Sequence, residues 1–359
     1  MVVKNRRSKR VLKLIAYISL IHMFLISCLF AFIMFKRSQK YNLKIKGKLF
    51  VVNKADKTIT VFDLSKGKEL KEIQLKTDAR EIVALPNNEI AITNHGDIYL
   101  PGKSISIFDS EELMFKRKIR LDGGIRPYGL VRLNNSKKVA VASNNGNNLL
   151  IVDTEGDSVE AVIPTQQKIS HKLVLHPSNP LAYVTNQKSG SVSVINYETK
   201  VVLKIIKTGY GAQGIDITPD GKEVWVTNAR ENSISLINTE TNTVEDTLNT
   251  GKGAYRLKFS LDGKYAFVTN AYDGTIFVFD RSIRHKIKTI TLPGKSSFIQ
   301  RVLYHTPTPR DMFMHPNQRH AFIANSNADK VEVLDLKTLK IVGNINTGQV
   351  PGALLITDY

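Results

Sequence analysis

Ala182-Tyr183-Val184-Thr185-Asn186 recurs as Val224-Trp225-Val226-Thr227-Asn228 and again as Ala266-Phe267-Val268-Thr269-Asn270. Weaker copies end at Asn53, Asn94, Asn144 and Asn325, so successive copies lie 41, 50, 42, 42, 42 and 55 residues apart. The two long intervals are insertions into one period. A second motif follows each first one: Val192-Ser193-Val194-Ile195-Asn196 matches Ile234-Ser235-Leu236-Ile237-Asn238 and Ile276-Phe277-Val278-Phe279-Asp280. Its other copies end at Asp63, Asp109, Asp153 and Asp335. Both motifs are rich in β-branched and aromatic residues, as strands are. A third strand follows, such as Val201-Val202-Leu203-Lys204-Ile205-Ile206. A fourth, Gly214-Ile215-Asp216-Ile217-Thr218, runs into Pro219-Asp220-Gly221-Lys222, which is turn chemistry.

Four strands per period of about 42 residues is the arithmetic of a propeller blade. One such sheet cannot bury both of its faces alone, whereas seven arranged radially bury both faces of every blade. The order of strands favours closure. The chain enters at a first-motif strand ending at Asn53 and finishes on Gly352-Ala353-Leu354-Leu355-Ile356-Thr357-Asp358, a fourth-strand equivalent. The expected fold is therefore all-β: a seven-bladed β-propeller of four-stranded blades over residues 48–359, closed by a C-terminal strand.

Tyr183-Val184-Thr185-Asn186 carries a family resemblance: the chain resembles the YVTN β-propeller repeat proteins over about residues 48–359. The resemblance implies an exported or cell-surface protein. Similar propellers occur in surface-layer proteins, quinoprotein and haem-d1 enzymes, and lactonases, and fold does not choose among those functions.

The formal net charge of +19 is unevenly distributed. Residues 1–48 hold twelve of the 51 basic residues and none of the 32 acidic ones, which leaves +7 for the remainder. Basic residues of this kind flank membrane segments, and the propeller region is too weakly basic for nucleic-acid binding to be expected. Residues 14–35 contain no Asp, Glu, Lys or Arg. At about 1.5 Å per residue this run spans about 33 Å, close to the hydrocarbon thickness of a bilayer. The expected organisation is a basic tail (1–13), a transmembrane helix or signal segment (14–35), a basic linker (36–47) and the propeller (48–359). Three fates fit the segment: an uncleaved anchor, a lipoprotein processed and lipidated at Cys28 in Leu25-Ile26-Ser27-Cys28, or a cleaved export signal. Each places the propeller outside the cytoplasm, at the cell surface or in the periplasm. Cys28 is the sole cysteine, which excludes an intrachain disulfide, a Cys-based zinc site and covalent c-type haem.

The Asn and Asp residues ending the two motifs read as corner residues, bonding their own downstream backbone. Gly102-Lys103-Ser104 has the wrong spacing for a phosphate loop and reads as a hairpin insertion. His176-Pro177 and His315-Pro316 read as turn variants. His95, Asp97 and His305, all in insertions, are the residues that a metal site would require to converge. No Gly-x-Ser-x-Gly nucleophile elbow occurs.

The start of the fourth strand differs from the rest of the repeat. Arg80, Tyr128, His171, Gln213, Tyr255, Arg310 and Gly352 share one repeat position, with Arg126, Lys172 and Arg256 close by and Glu81 and Asp311 as acids. A packing position repeats similar apolar residues, but this one varies and favours long polar side chains. In a propeller this strand lines the central channel. We therefore expect Arg80, Arg126, Tyr128, His171, Gln213, Tyr255, Arg256 and Arg310 to line a solvated channel mouth that binds a small anionic ligand or a protein partner. No catalytic residue, metal ligand or cofactor is assigned, and a binding or scaffold module is expected rather than an enzyme. The rival readings are a lactonase-like metal-dependent hydrolase, and a redox protein holding a noncovalent prosthetic group in the channel.

Overall fold

The computed structural model describes residues 13, 15–23, 40–134, 136–294 and 307–359. Its strands pair antiparallel into seven four-stranded sheets. Blade 1 runs from the axis outward through Pro351–Thr357, Lys48–Asn53, Thr58–Asp63 and Lys68–Gln74. Blades 2 to 7 have the inner strands Ala79–Leu85, Pro127–Arg132, Ser170–Leu175, Ala212–Ile217, Ala254–Phe259 and Pro309–Met314, each followed in chain order by three outward neighbours. Each inner strand packs beside the next, and that of blade 7 packs beside that of blade 1, so the ring closes.

Alternation along each strand feeds two cores, because successive side chains point to opposite faces of the sheet. In blade 1, Phe50 and Val52 join Ile82 and Ile90 of blade 2, while Leu49 and Val51 join Phe322 and Val331 of blade 7. Seven apolar clusters result, one in each cleft between adjacent blades. The outermost strands need only one apolar face in places. Lys68–Gln74 buries Ile73 alone.

The fourth strand of each sequence repeat opens the next blade instead of completing its own. Only the last one returns to the start of the ring. There Leu49, Phe50 and Val51 lie opposite Ile356, Leu355 and Leu354, which is the closure the strand order implies.

The recurring corner residues divide into two devices. The second-motif Asp and Asn behave as expected: Asp63 Oδ1 accepts from the Ser65 and Lys66 amides, both at 2.9 Å, and Asn196 Oδ1 does the same for Glu198 and Thr199. The first-motif Asn does not bond its downstream backbone. In blades 1, 4 and 5 its buried amide donates across the hairpin to hydroxyls five and seven residues on, as Asn228 does to Ser233 and Ser235 at 3.0 Å each. In blade 3 the equivalent residue is Ser143, not Asn144, since Ser143 faces Pro127 as Asn228 faces Ala212.

Two further expectations change. Residues 40–47 are not a free linker. Tyr41 donates its hydroxyl to the Leu64 carbonyl (2.6 Å) and its amide to the Asn344 carbonyl (2.8 Å), and Ile45 is buried against blades 1 and 7. Of the expected transmembrane segment 14–35, only the helical residues 15–23 are described, and the remainder, with Cys28, lies outside the described residues. Among the described residues no helix is long and apolar enough to cross a membrane.

Candidate functional site

The Thr of the first motif shapes the channel. Each inner strand is bulged after its first residue, with register shifts between Ala79 and Ile82, Ser170 and Leu173, and Ala212 and Ile215. The third residue of the bulge donates its amide to that Thr: Glu81 to Thr93 and Lys172 to Thr185 at 3.0 Å, Gly214 to Thr227 at 2.8 Å, Arg256 to Thr269 at 2.9 Å. Thr185 also donates to the Gln213 carbonyl of the next blade, at 3.2 Å. A bulge re-aims side chains. Here it lets the second and third residues of the inner strands meet their counterparts from distant blades.

The second residues are Arg80, Tyr128, His171, Gln213, Tyr255, Arg310 and Gly352, the set that the repeat alignment brings together. Tyr128 of blade 3 and Tyr255 of blade 6 meet across the ring, hydroxyl to hydroxyl, at 3.1 Å. Arg80 lies over the Tyr128 ring (5.8 Å) and Arg310 over the Tyr255 ring (5.2 Å). His171 stacks on Tyr128 with centroids 3.8 Å apart, and His95 stands edge-on to it at 5.5 Å. The expected solvated rim is therefore a packed layer, with Tyr128, His171 and Gln213 all buried.

The third residues form a second layer beneath. Glu81 pairs with Lys172 and reaches Arg256 at 3.7 Å, while Arg256 Nε lies 2.7 Å from Asp311 Oδ1. Asp311 also accepts the Met312 and Leu354 amides, at 2.9 and 3.1 Å. This chain of charges joins blades 4, 2, 6 and 7 across the channel, and each side chain is at most 12 % exposed. Arg256 thus belongs to the deeper layer, not to the mouth. Arg126 stands outside the ring, donating Nη2 to the Asp97 carbonyl at 2.6 Å and bracing the turn of the preceding hairpin, between Gly96 and Pro101.

Two mouth residues escape repeat alignment. Lys54 follows the first-motif Asn of blade 1 and occupies the space left by Gly352, where a Cβ would lie 2.6 Å from Lys54 Cε. The one signal in the sequence was that Gly352 is the only copy without a side chain. Asp78 precedes its inner strand and binds Arg80 Nη2 at 2.6 Å.

The mouth is cationic and partly buried, which moves its titrations. Burial pulls the Lys54 ammonium below its usual range, with Arg80 and Arg310 adding to the shift. Burial holds His171 at about 3 and His95 at about 4, so both rings are neutral. Burial also raises the Tyr128 phenol. At Tyr255 burial pushes upward too, but Lys54, Arg310 and the bond from Tyr128 outweigh it and bring the phenol down to about 8. Arg80 Nε, Arg310 Nε and His171 Nδ1 are buried without a hydrogen-bond partner among the described residues.

Of the metal candidates, His95 and Asp97 are each engaged elsewhere. His95 Nδ1 lies 3.3 Å from the Pro127 carbonyl, and Asp97 Oδ1 accepts the Tyr99 and Leu100 amides. His305 lies outside the described residues. Among the described residues no three His, Cys, Asp or Glu are grouped to hold a metal ion. His176 and His315 are turn residues, each accepting amides of its own turn at Nδ1. Gly102 sits in the strand Pro101–Asp109 of a hairpin.

A model of the YNCE-like beta-propeller family matches residues 157–301. No curated protein sequence matches the chain. Among solved structures, a functionally unknown protein from Desulfotomaculum acetoxidans is 16% identical, with a TM-score of 0.68 over 86% of this chain and 98% of its own. A periplasmic gluconolactonase from Pseudomonas aeruginosa is 17% identical, with a TM-score of 0.68 over 87% and 99%. A putative 6-phosphogluconolactonase from Bacteroides fragilis is 15% identical, with a TM-score of 0.68 over 88% and 99%. At such identities the likeness is one of fold, and with the closed ring of seven blades it makes this chain a β-propeller.

Proposed function

We propose that the propeller is a binding module that takes a small anionic ligand at its channel mouth. One observation carries this reading. Lys54, Arg80 and Arg310 gather at the mouth, where Asp78 pairs with Arg80 and no carboxylate pairs with Arg310 among the described residues. Half-buried cations gathered with too few counter-charges repel one another and are partly desolvated, and an anion that accepts from Arg310 and Lys54 offsets that cost. Arg is suited to the role, since its planar fork matches carboxylate and phosphate. The lactonase reading draws on likeness of fold to the gluconolactonases. Against it, Glu81 and Asp311, the acids that a metal would use, are already paired with Lys172 and Arg256.

Calorimetry of the full-length chain in detergent, with acetate and phosphate, tests the proposal. Arg310→Ala should weaken binding by about 10- to 150-fold, the value of a charge-assisted hydrogen bond of about 1.5–3 kcal/mol. Unchanged binding in that variant refutes it. The pH dependence has a defined sign. As pH rises through about 8, Tyr255 loses its proton and places a negative charge beside Arg310, so anion affinity falls. Tyr255→Phe should hold its affinity through that range. A decline that persists in Tyr255→Phe points instead to Lys54, whose lowered ammonium loses its charge on the same side.

Residues 14–35 complete the proposal as a membrane tether that holds the propeller outside the cytoplasm. The chain joins the folded body at Tyr41. Only a few residues separate it from position 35, so at most about 3.6 Å per residue the propeller would lie against the bilayer surface. Carbonate extraction of membranes should leave the full-length protein in the pellet, and release into the supernatant would sink the tether.

A further inference from the structure

Blades 4, 5 and 6 carry a depression of about 430 Å³ on the face where the inner strands begin. Its lining is unusual in composition. Three amides (Gln187, Gln213 and Asn232), two cations (Arg230 and Lys252) and the Tyr272 ring surround it. Among the described residues no carboxylate lines it, and no aliphatic side chain larger than that of Ala229.

The depression is built rather than incidental. Tyr272 is 71% exposed, yet it is held from below. Its ring lies over Gly253, where a Cβ would come within 2.6 Å of Cδ2, and its amide donates to the Lys252 carbonyl at 3.1 Å. Gly253 has φ +69, a conformation that favours glycine, and its amide is fixed by Asn232 Oδ1 at 2.9 Å. One face of the tyrosine is thus packed on backbone and the other is open. Gln213 is 6% exposed and bonded through Oε1 to Gln187 Nε2 at 3.3 Å. It is also the second residue of its inner strand, next in the ring to Tyr255. The depression therefore adjoins the channel mouth through Gln213.

We propose that this depression is a sugar subsite and that the ligand of the mouth is an acidic saccharide. The inference rests on the anion-binding reading above. Amides present donors and an acceptor on neighbouring atoms, which suits adjacent hydroxyls. An open aromatic face suits the C–H face of a pyranose ring. Arg230 and Lys252 add to the positive field in which an acid group is drawn to Arg310 and Lys54.

Calorimetry of the full-length chain with glucuronate, galacturonate, acetate and methyl glucoside tests it. Either uronate should bind at least tenfold more tightly than acetate. Tyr272→Ala should remove that margin and leave acetate unchanged, while Tyr272→Trp keeps it. Because Tyr272 lies on an exposed turn, both variants should melt with the parent, which a thermal scan verifies. Arg310→Ala should weaken uronates and acetate alike. Uronates that bind no better than acetate, or a margin that survives Tyr272→Ala, overturn the sugar subsite and leave the anion site standing. Methyl glucoside binding that is lost in Tyr272→Ala, with no acid bound, supports the subsite and removes the anion reading. Binding of none of the four overturns both.

Discussion

A chain ending at Gly348 is expected not to reach a cooperative folded state. The strand it would lack, Pro351–Thr357, is the innermost strand of blade 1. It serves two cores at once: Ala353 and Leu355 join the cluster toward blade 2, Leu354 and Ile356 the cluster toward blade 7. Loss of one buried Leu or Ile side chain costs about 2–5 kcal/mol, and three go together here. The ladder partners of Lys48–Asn53 go as well, leaving a bare hydrophobic edge that invites aggregation. The sum approaches or exceeds the roughly 5–15 kcal/mol that holds a typical domain folded. Asp311 also loses its bond to the Leu354 amide, which loosens the charge chain under the mouth. Thermal melts and size-exclusion chromatography of parent and truncated chains decide the matter. A sharp transition within a few degrees of the parent would falsify closure by this strand. Removal of Asp358 and Tyr359 alone should be nearly silent, since the contact of Asp358 with Lys48 is a partly exposed ion pair, worth little.

Closure was legible in the sequence because it is a property of order. A propeller region that starts on a first-motif strand and ends on a fourth-strand equivalent leaves one arrangement in which every edge near the axis is paired. The mouth was legible for a related reason: the bulge pinned by Thr93, Thr185, Thr227 and Thr269 recurs at fixed register, so residues aligned in the repeat are aligned in space. What alignment does not carry is which residues meet across the ring. Glu81 and Lys172 are 91 residues apart and two blades apart, and nothing local in either segment encodes their pairing. Lys54 was missed because it enters the channel from the position after the motif, into a slot opened by Gly352, almost three hundred residues later. Asn144 was mistaken for the motif residue because it adjoins Ser143, whose hydroxyl does a different job. It accepts from the Ile125 amide at 2.8 Å instead of donating across the hairpin. The role of the first-motif Asn was misread because strand-end Asn usually turns the chain, whereas here paired hydroxyls on the next strand capture its amide.

The buried charge chain should prove structural, with an effect opposite to that of the mouth arginines. Glu81 stands between Lys172 and Arg256, and both lie in the closed layer below the tyrosines. In Glu81→Gln, Arg256 keeps Asp311, but Lys172 loses its carboxylate while remaining 7% exposed. Breaking a buried pair in this way costs about 3–5 kcal/mol, because an uncompensated charge stays behind. Removing that charge as well, in Glu81→Gln with Lys172→Met, should restore part of the loss. Coupling between such neighbours is commonly about 0.5–3 kcal/mol. Urea denaturation of the parent, the two single variants and the double variant reads this directly. Additive single and double variants would show that Lys172 is neutral in the folded chain, a state toward which burial and the nearby Arg256 pull it. Binding separates the two layers further. Glu81→Gln removes a negative charge below the mouth, so it should keep or tighten anion binding while it destabilises the fold. Arg310→Ala should do the reverse, losing the anion with little change in stability, because Arg310 packs on the Tyr255 ring and pairs with no carboxylate among the described residues. A Glu81→Gln variant that stays stable and loses the anion would place the binding site one layer deeper, in the charge chain itself.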